Sequence, residues 1–290
     1  MILNRNHADD VLTLYKDLKK QTFQDFHVII IDDNSDAAEL EKLNSVTDEK
    51  FQVYSYPAPW KFGNDNKWNM GLKAAHKNGS KYTYSIQTDM KINDLDLLQR
   101  LVEFMEVEPK CGAACPTIYN ASGEMTWGPG IEKTRMGKKL NINETFITRN
   151  SLMAEMGYVD EKLIFYGHES YFNNWLHLKG YNTIPLGGVS ITHFGGGTTS
   201  KYWHFKYYYR ARTTILLLKL FNHGEPLSQR LRYFRSECWE IFTKLSDYKK
   251  NRRYIDLLKL LIVFSRGILV GLVIQIKPIT KASIQHDKNK

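Results

Sequence analysis

The chain has 290 residues and a mass of 33.8 kDa, enough for about two domains or one large one. With 42% hydrophobic and 13% aromatic residues and only 8 prolines, it is not a disordered tail, a collagen-like repeat or a low-complexity chain. Its formal charge of +9 is unevenly divided: residues 1–200 carry 21 Lys/Arg against 25 Asp/Glu, and residues 201–290 carry 19 against 6.

The predicted elements alternate from the start. Met1-Ile2-Leu3-Asn4-Arg5-Asn6 reads as the last half of a strand running into a polar loop, its first residues expected upstream of Met1. Val11, Leu14, Tyr15 and Leu18 fall at helical spacing behind Asp9 and Asp10, which suit a helix N-terminus. Residues 28–31 form a short apolar run breaking into Asp32-Asp33-Asn34-Ser35, the pattern of a buried parallel strand. Residues 37–44 read as a helix, 51–56 as a strand, 57–66 as a loop and 69–77 as a helix ending at Asn78-Gly79. A strand over 82–87 delivers Asp89, and Leu95, Leu98, Leu101, Val102 and Met105 mark the next helix. Such alternation predicts an α/β open sheet, whose ligands sit beyond the C-terminal strand ends.

The later part reads as helices around 206–221, 227–247 and 252–276, with a composition break near residue 200 as the domain boundary. Residues 260–274 are almost wholly apolar but fall short of the roughly 20 residues a spanning helix needs. Drawn as one helix, 252–277 places Arg252, Lys259, Arg266 and Lys277 within about 40° of one another. That stripe suits either an interfacial helix facing anionic head groups or a core-packed helix with its charges in water. Cys111, Cys115 and Cys238 are too few and too irregular for a disulfide framework or a zinc site. They read as small buried thiols, in a chain without a secretory leader and therefore expected in a reducing compartment.

Four segments carry candidate chemistry. Asp33, beyond a strand, is an acceptor for nucleobase or ribose hydrogens. Asp89, in Gln87-Thr88-Asp89-Met90, is a hard-oxygen ligand for Mg²⁺ or Mn²⁺ on a diphosphate. Glu169, in Phe165-Tyr166-Gly167-His168-Glu169-Ser170, lies between an aromatic strand end and a helix stopped at Gly180, where an acid can serve as a general base. His193 is strand-borne and precedes Gly195-Gly196-Gly197, which allows backbone to approach a ligand; neutral His is a common metal ligand. Taken singly, each segment is also ordinary cap, turn or linker chemistry.

Their order and spacing resemble the family-2 inverting glycosyltransferases of GT-A fold over roughly residues 1–215. The resemblance runs from Asn6 through Gln21-Thr22-Phe23-Gln24-Asp25-Phe26, the Asp32-Asp33 segment, Asn69 with Gly71, Asp89, and Gly157-Tyr158-Val159-Asp160-Glu161. His168-Glu169 with Gly180-Tyr181 occupies the place of the family's acidic element. His193-Phe194-Gly195-Gly196-Gly197 and Tyr207-Tyr208-Tyr209-Arg210 resemble a bacterial rhamnosyltransferase-like branch with basic helical extensions.

The resemblance implies a nucleotide-diphospho-sugar transferase domain over 1–200, an open Rossmann-like sheet, and a helical extension over 201–290. It implies donor contacts from Asn6, Asp33, Lys67, Asn69 and Asp89, a divalent metal (Mg²⁺ or Mn²⁺) on Asp89 and His193, and Glu169 as base. The basic stripe of the last third suggests the acceptor: a saccharide or polyprenyl-linked saccharide, met at the inner membrane face by a cytoplasmic, peripheral enzyme of envelope polysaccharide synthesis. Rhamnose is the favoured sugar, with other hexoses open. Trp60, Trp68, Trp127, Phe165, Tyr166 and Trp175 are candidates for stacking on sugars. Three departures stand out: Gln87 replaces the first acid of the metal motif, Glu169 is one methylene longer than the usual Asp, and the first strand is about three residues short. They keep open an inert nucleotide-sugar-binding scaffold. A nucleic-acid-binding protein would explain the basic tail, but that tail lacks a helix-turn-helix, zinc or RNP element.

Overall fold

The computed structural model describes residues 1–56, 64–131, 133–135, 138–140, 142–143, 145–195, 203–221 and 226–280. Trp60, Gly196 and Gly197, named above, and most of the loop expected over 57–66 lie outside the described residues. The first half alternates β1 (Ile2–Asn4), α1 (Ala8–Lys19), β2 (Val28–Asp32), α2 (Ala37–Asn44), β3 (Phe51–Ser55), α3 (Asn64–Lys77), β4 (Tyr82–Gln87), β5 (Met90–Ile92) and α4 (Leu97–Val107). Then come β6 (Cys111–Asn120), β7 (Met125–Trp127), β8 (Lys133–Arg135), β9 (Lys138–Leu140), β10 (Phe146–Arg149), α5 (Asn150–Met156), α6 (His168–Leu178) and β11 (Asn182–His193). Four helices follow: α7 (Trp203–Phe221), α8 (Leu227–Glu237), α9 (Trp239–Lys250) and α10 (Tyr254–Val273).

The main sheet runs β3-β2-β1-β4-β10-β6-β11-β5, with β7 on β6, while β8 and β9 pair separately. β3, β2, β1 and β4 are parallel, and all five residues of β2 are buried, as its unbroken apolar run requires. Register sets Asn4 beside Asp32 and Leu3 beside Gln87, so three strands end on one edge. β10 is antiparallel to both β4 and β6, and β11 runs parallel to β6. A register shift between Leu186 and Ser190 passes through Gly188, whose φ of +79° favours glycine. Beyond that bulge β11 pairs antiparallel with β5, setting His193 opposite Met90. The α/β fold with helical C-terminal segments matches the expectation.

Several boundaries differ from the sequence reading. α3 begins five residues before the predicted 69, because its first turn is polar and carries no apolar period. The helix predicted over 227–247 is two helices meeting at Cys238, which is fully buried with its Sγ 3.9 Å from the Thr214 hydroxyl. No glycine or proline marks that bend. Residues 164–167 are a loop and not a strand end, with Tyr166 and Gly167 both at positive φ. Arg252 precedes α10 and Lys277 follows it, so only Lys259 and Arg266 of the expected stripe lie on the helix. The three cysteines are free and buried, and burial pushes the Cys111 and Cys115 thiols up to about 12.

The composition break at residue 200 is not a break in packing. Leu216, Leu217, Leu220 and Phe221 of α7 belong to the same core as Ile2, Leu14, Leu72 and Phe172. A smaller core gathers Ala211, Cys238, Ile241, Leu260 and Phe264 from α7, α9 and α10 and the turn between α8 and α9. No helix among the described residues is long and apolar enough to cross a membrane.

Candidate active site

The C-terminal edge of the parallel strands collects most of the residues singled out by sequence. The two acids after β2 are used differently. Asp32 is buried and accepts from the Asn4 amide at 2.8 Å and the Ser35 hydroxyl at 2.5 Å, which pins the strand end. Asp33 is partly exposed and pairs with the buried Lys67 ammonium, with Arg5 at 4.0 Å on its other oxygen. Asn6, at φ +55°, closes the same loop: it accepts from the Asp36 amide at 2.7 Å, and its own amide donates to the Ser35 hydroxyl at 2.8 Å.

Three consecutive residues of α3 make contacts in three directions. Lys67 reaches Asp33 and sits 5.5 Å from the centre of the Tyr56 ring. Trp68 packs its ring 5.4 Å from that of His168 and donates to the Ser85 hydroxyl at 3.2 Å. Asn69 is buried, and both ends of its amide are engaged by Val159, donating to the carbonyl at 2.8 Å and accepting from the N–H at 3.0 Å. Successive helical residues point about 100° apart, which is how one turn serves three directions.

Asp89 follows β4, and His193 ends β11; the pairing of β5 with β11 brings them together, His193 Nε2 to Asp89 Oδ2 at 3.1 Å. The Asp89 carbonyl also accepts from the Phe194 N–H at 2.9 Å, fixing the two segments to each other. Burial works against ionisation of Asp89, yet the hydrogen bond and charge of His193 outweigh it and hold the carboxyl below its ordinary range. His7 contributes charge in the same direction. Among the described residues no group of three or more His, Cys, Asp or Glu could hold a metal ion. A carboxylate and an imidazole side by side still suit an open site, because Mg²⁺ commonly takes one or two protein ligands and completes its shell with phosphate oxygens and water.

Glu169 lies in the first turn of α6, partly buried, with His168 Nε2 3.4 Å from its Oε1. The loop before it is clamped by α7: Thr213 donates to the Phe165 carbonyl at 2.9 Å, and a Cβ on Gly167 would meet Thr213 at 2.7 Å. Phe165 packs against Phe205 at 5.1 Å and Tyr209 at 6.2 Å between ring centres. Phe165 and Tyr166 are half-buried, whereas Trp68, Trp127 and Trp175 are buried in the core and present no face for stacking on a sugar.

The sequence model of the family described as Glycosyl transferase family 2 matches residues 1–164, more than half of the chain. The chain belongs to glycosyl transferase family 2. The glycosyltransferase shares its fold with the solved S. aureus TarS 1-349, at 14% identity and a TM-score of 0.60 over 93% of this chain and 81% of that one. TarS 1-349 in complex with UDP-GlcNAc aligns at 14% identity and a TM-score of 0.57, over 99% and 90% of the two chains. The mannosyltransferase PcManGT from Pyrobaculum calidifontis, in complex with GDP-Man and Mn²⁺, aligns at 12% identity and a TM-score of 0.58, over 99% and 78%. No curated protein matches the chain by sequence.

Sequence reasoning about this glycosyltransferase missed Arg5 and Tyr56. Arg5 and Tyr56 both flank strand ends that were already suspected, which was the available signal. Gln87 ends β4 in register with Leu3, where the family pattern has an acid.

Proposed function

We propose that the protein is an inverting glycosyltransferase that moves a hexose, with rhamnose favoured, from a nucleotide-diphosphate donor to a saccharide acceptor. The observation that carries this reading is the shared strand edge, where Asp33 just beyond β2 pairs with Lys67 of α3, and Asp89 just beyond β4 pairs with His193 at the end of β11. Asp33 is assigned to the nucleotide base, with Asn6, Lys67 and Asn69 shaping its pocket. In Asn69 that shaping is indirect, through Val159.

Asp89 and His193 are assigned to hold Mg²⁺ or Mn²⁺, which when bound supplies positive charge against the leaving diphosphate. Glu169 takes the proton from the acceptor hydroxyl. The oxygen then attacks the anomeric carbon in line, the bond to the diphosphate oxygen breaks, and the configuration inverts. Rhamnose rests on the resemblance of the His193 and Tyr207–Arg210 segments to one branch. The acceptor is read as lipid-linked and the enzyme as peripheral at the inner membrane face, in envelope polysaccharide synthesis. The basic balance of residues 201–290 supports both.

The test is a panel of nucleotide sugars assayed for transfer and hydrolysis, with and without chelator. Glu169→Gln is expected to abolish transfer while donor affinity stays within about threefold of wild type. Undiminished transfer in that variant removes Glu169 from the role of base, and insensitivity to chelator removes the metal from Asp89 and His193. Gln87, one carboxylate fewer at the metal motif, favours the second reading of a nucleotide-sugar-binding scaffold. Donor binding without turnover of any sugar in the panel would establish it.

A further inference from the structure

We propose that the outward face of α10 is a docking surface for an anionic lipid bilayer, with the helix lying in the plane of the interface. The proposal deepens, and rests on, the reading of a membrane-borne acceptor by naming the surface that meets the membrane.

α10 buries one narrow edge, Leu260, Phe264, Gly267 and Gly271. A Cβ on Gly267 would run into the Tyr208 carbonyl, and one on Gly271 would lie 2.8 Å from that of Arg212, so the two glycines seat α10 deep against α7. The opposite face carries Ile255, Leu258, Ile262, Leu269 and Val273, each between 59% and 77% exposed. At about 100° per residue these five fall within a strip about 60° wide. Lys259 and Arg266, both exposed, border one side of that strip. Asp256, the helix's one acid, lies beyond the basic row and is paired with Arg253 at 2.9 Å.

Among the described residues, half of the large apolar side chains that are exposed lie on this single helix. Isolated exposed apolar residues are ordinary; a continuous strip with a basic border has the composition of an interfacial helix. Spanning is excluded for α10, which is not long and apolar enough. An antiparallel second copy fits less well, because a two-fold axis across the helices in the contact plane sets both basic borders on the same side.

α7 ties this surface to the chemistry. Its residues Tyr208, Ala211, Arg212 and Ile215 receive α10. Its residues Phe205, Tyr209, Thr213 and Leu217, each four apart, meet the loop leading into Glu169. Docking through α10 therefore fixes, through α7, how the loop before Glu169 stands relative to the bilayer.

The test is co-sedimentation of the full chain with vesicles of phosphatidylcholine, alone or mixed with phosphatidylglycerol. The wild type is expected to partition at least about tenfold more onto the anionic vesicles, with the difference shrinking as salt is raised. Ile262→Glu with Leu269→Glu is expected to lose binding to both. Lys259→Glu with Arg266→Glu is expected to lose only the anionic preference, and it carries the test if the first pair fails to keep the wild-type melting temperature. A wild type that stays in the supernatant with anionic vesicles overturns the proposal. So does a dimer in sedimentation analysis that Ile262→Glu with Leu269→Glu dissolves. Turnover of the nucleotide-sugar panel, by transfer or hydrolysis, separates the two readings: vesicle binding without turnover of any sugar overturns the transferase, and turnover without vesicle binding overturns the docking surface.

Discussion

At the scale of single residues, the decisive contrast is between two adjacent aspartates. Asp32 spends its oxygens on Asn4 and Ser35 and shapes the strand end, while Asp33 faces outward onto a buried ammonium. Removing the Asp33 charge leaves Lys67 desolvated without its partner, a loss that costs 3–5 kcal/mol in fully buried pairs. Asp33 is partly exposed, so Asp33→Asn is expected to destabilise by about 2 kcal/mol and also to weaken donor affinity. Chemical denaturation and donor titration of the same variant check both effects; unchanged stability would mean that water reaches Lys67. The sequence made the pair of acids visible but not their division of labour. That division depends on Asn4, Ser35 and Lys67, which come from three separate segments and meet only through strand register.

At the scale of elements, the helices of the last third hold together by close approach and by charge. Gly→Ala inside an exposed helix normally gains about 1 kcal/mol from propensity. At Gly267 the added methyl meets a backbone carbonyl, which cannot swing aside as a side chain can, and overpacking of this kind costs about 1–3 kcal/mol. Gly267→Ala is therefore expected to lower the melting temperature, whereas Ser265→Ala on the exposed side of α10 is expected to raise it slightly. Equal shifts in a thermal melt would show that α10 does not seat on α7.

Glu240 makes the second link, accepting from Lys206 and Arg210 at 2.6 Å each and so joining α9 to α7. Burial opposes its ionisation, but the two cations outweigh it and depress its carboxyl. A depressed folded-state value contributes stability that is present above the unfolded value, about 4.3, and is lost as pH falls through the folded one. The group is 40% exposed, so solvent screening limits the contribution to about 1 kcal/mol at most. Glu240→Gln is expected to lower stability at neutral pH, the gap narrowing as pH falls below the unfolded value; a gap that stays constant on acidification would contradict the assignment.

At the scale of the whole molecule, residues 201–290 differ in charge from the rest without being separate from it. α7 supplies Leu216, Leu217, Leu220 and Phe221 to the main core and clamps the loop before Glu169. The fragment 1–200 is expected not to fold, as read by circular dichroism and by loss of donor binding. A cooperative thermal transition in that fragment would establish residue 200 as a domain boundary. The alternation of strands and helices over the first hundred residues was legible because β2 opens with four consecutive apolar residues, β3 and β4 are short and rich in β-branched and aromatic residues, and the helices between carry apolar residues at helical spacing. The centre of the sheet was not: Cys111-Gly112-Ala113-Ala114-Cys115-Pro116 has no β-branched residue and gives no strand signal, yet these residues are buried in β6. The bend at Cys238 was equally silent, since packing against Thr214 rather than a breaker produces it.

Lys67, Trp68 and Asn69 share one stretch of backbone while answering to three different parts of the molecule. Their bearings are locked in phase. Whatever turns α3 enough to reposition Lys67 turns Trp68 against His168 and Asn69 against Val159 by the same angle. The three contacts therefore cannot shift one at a time. They hold or yield as a set for as long as that single helical turn stays wound.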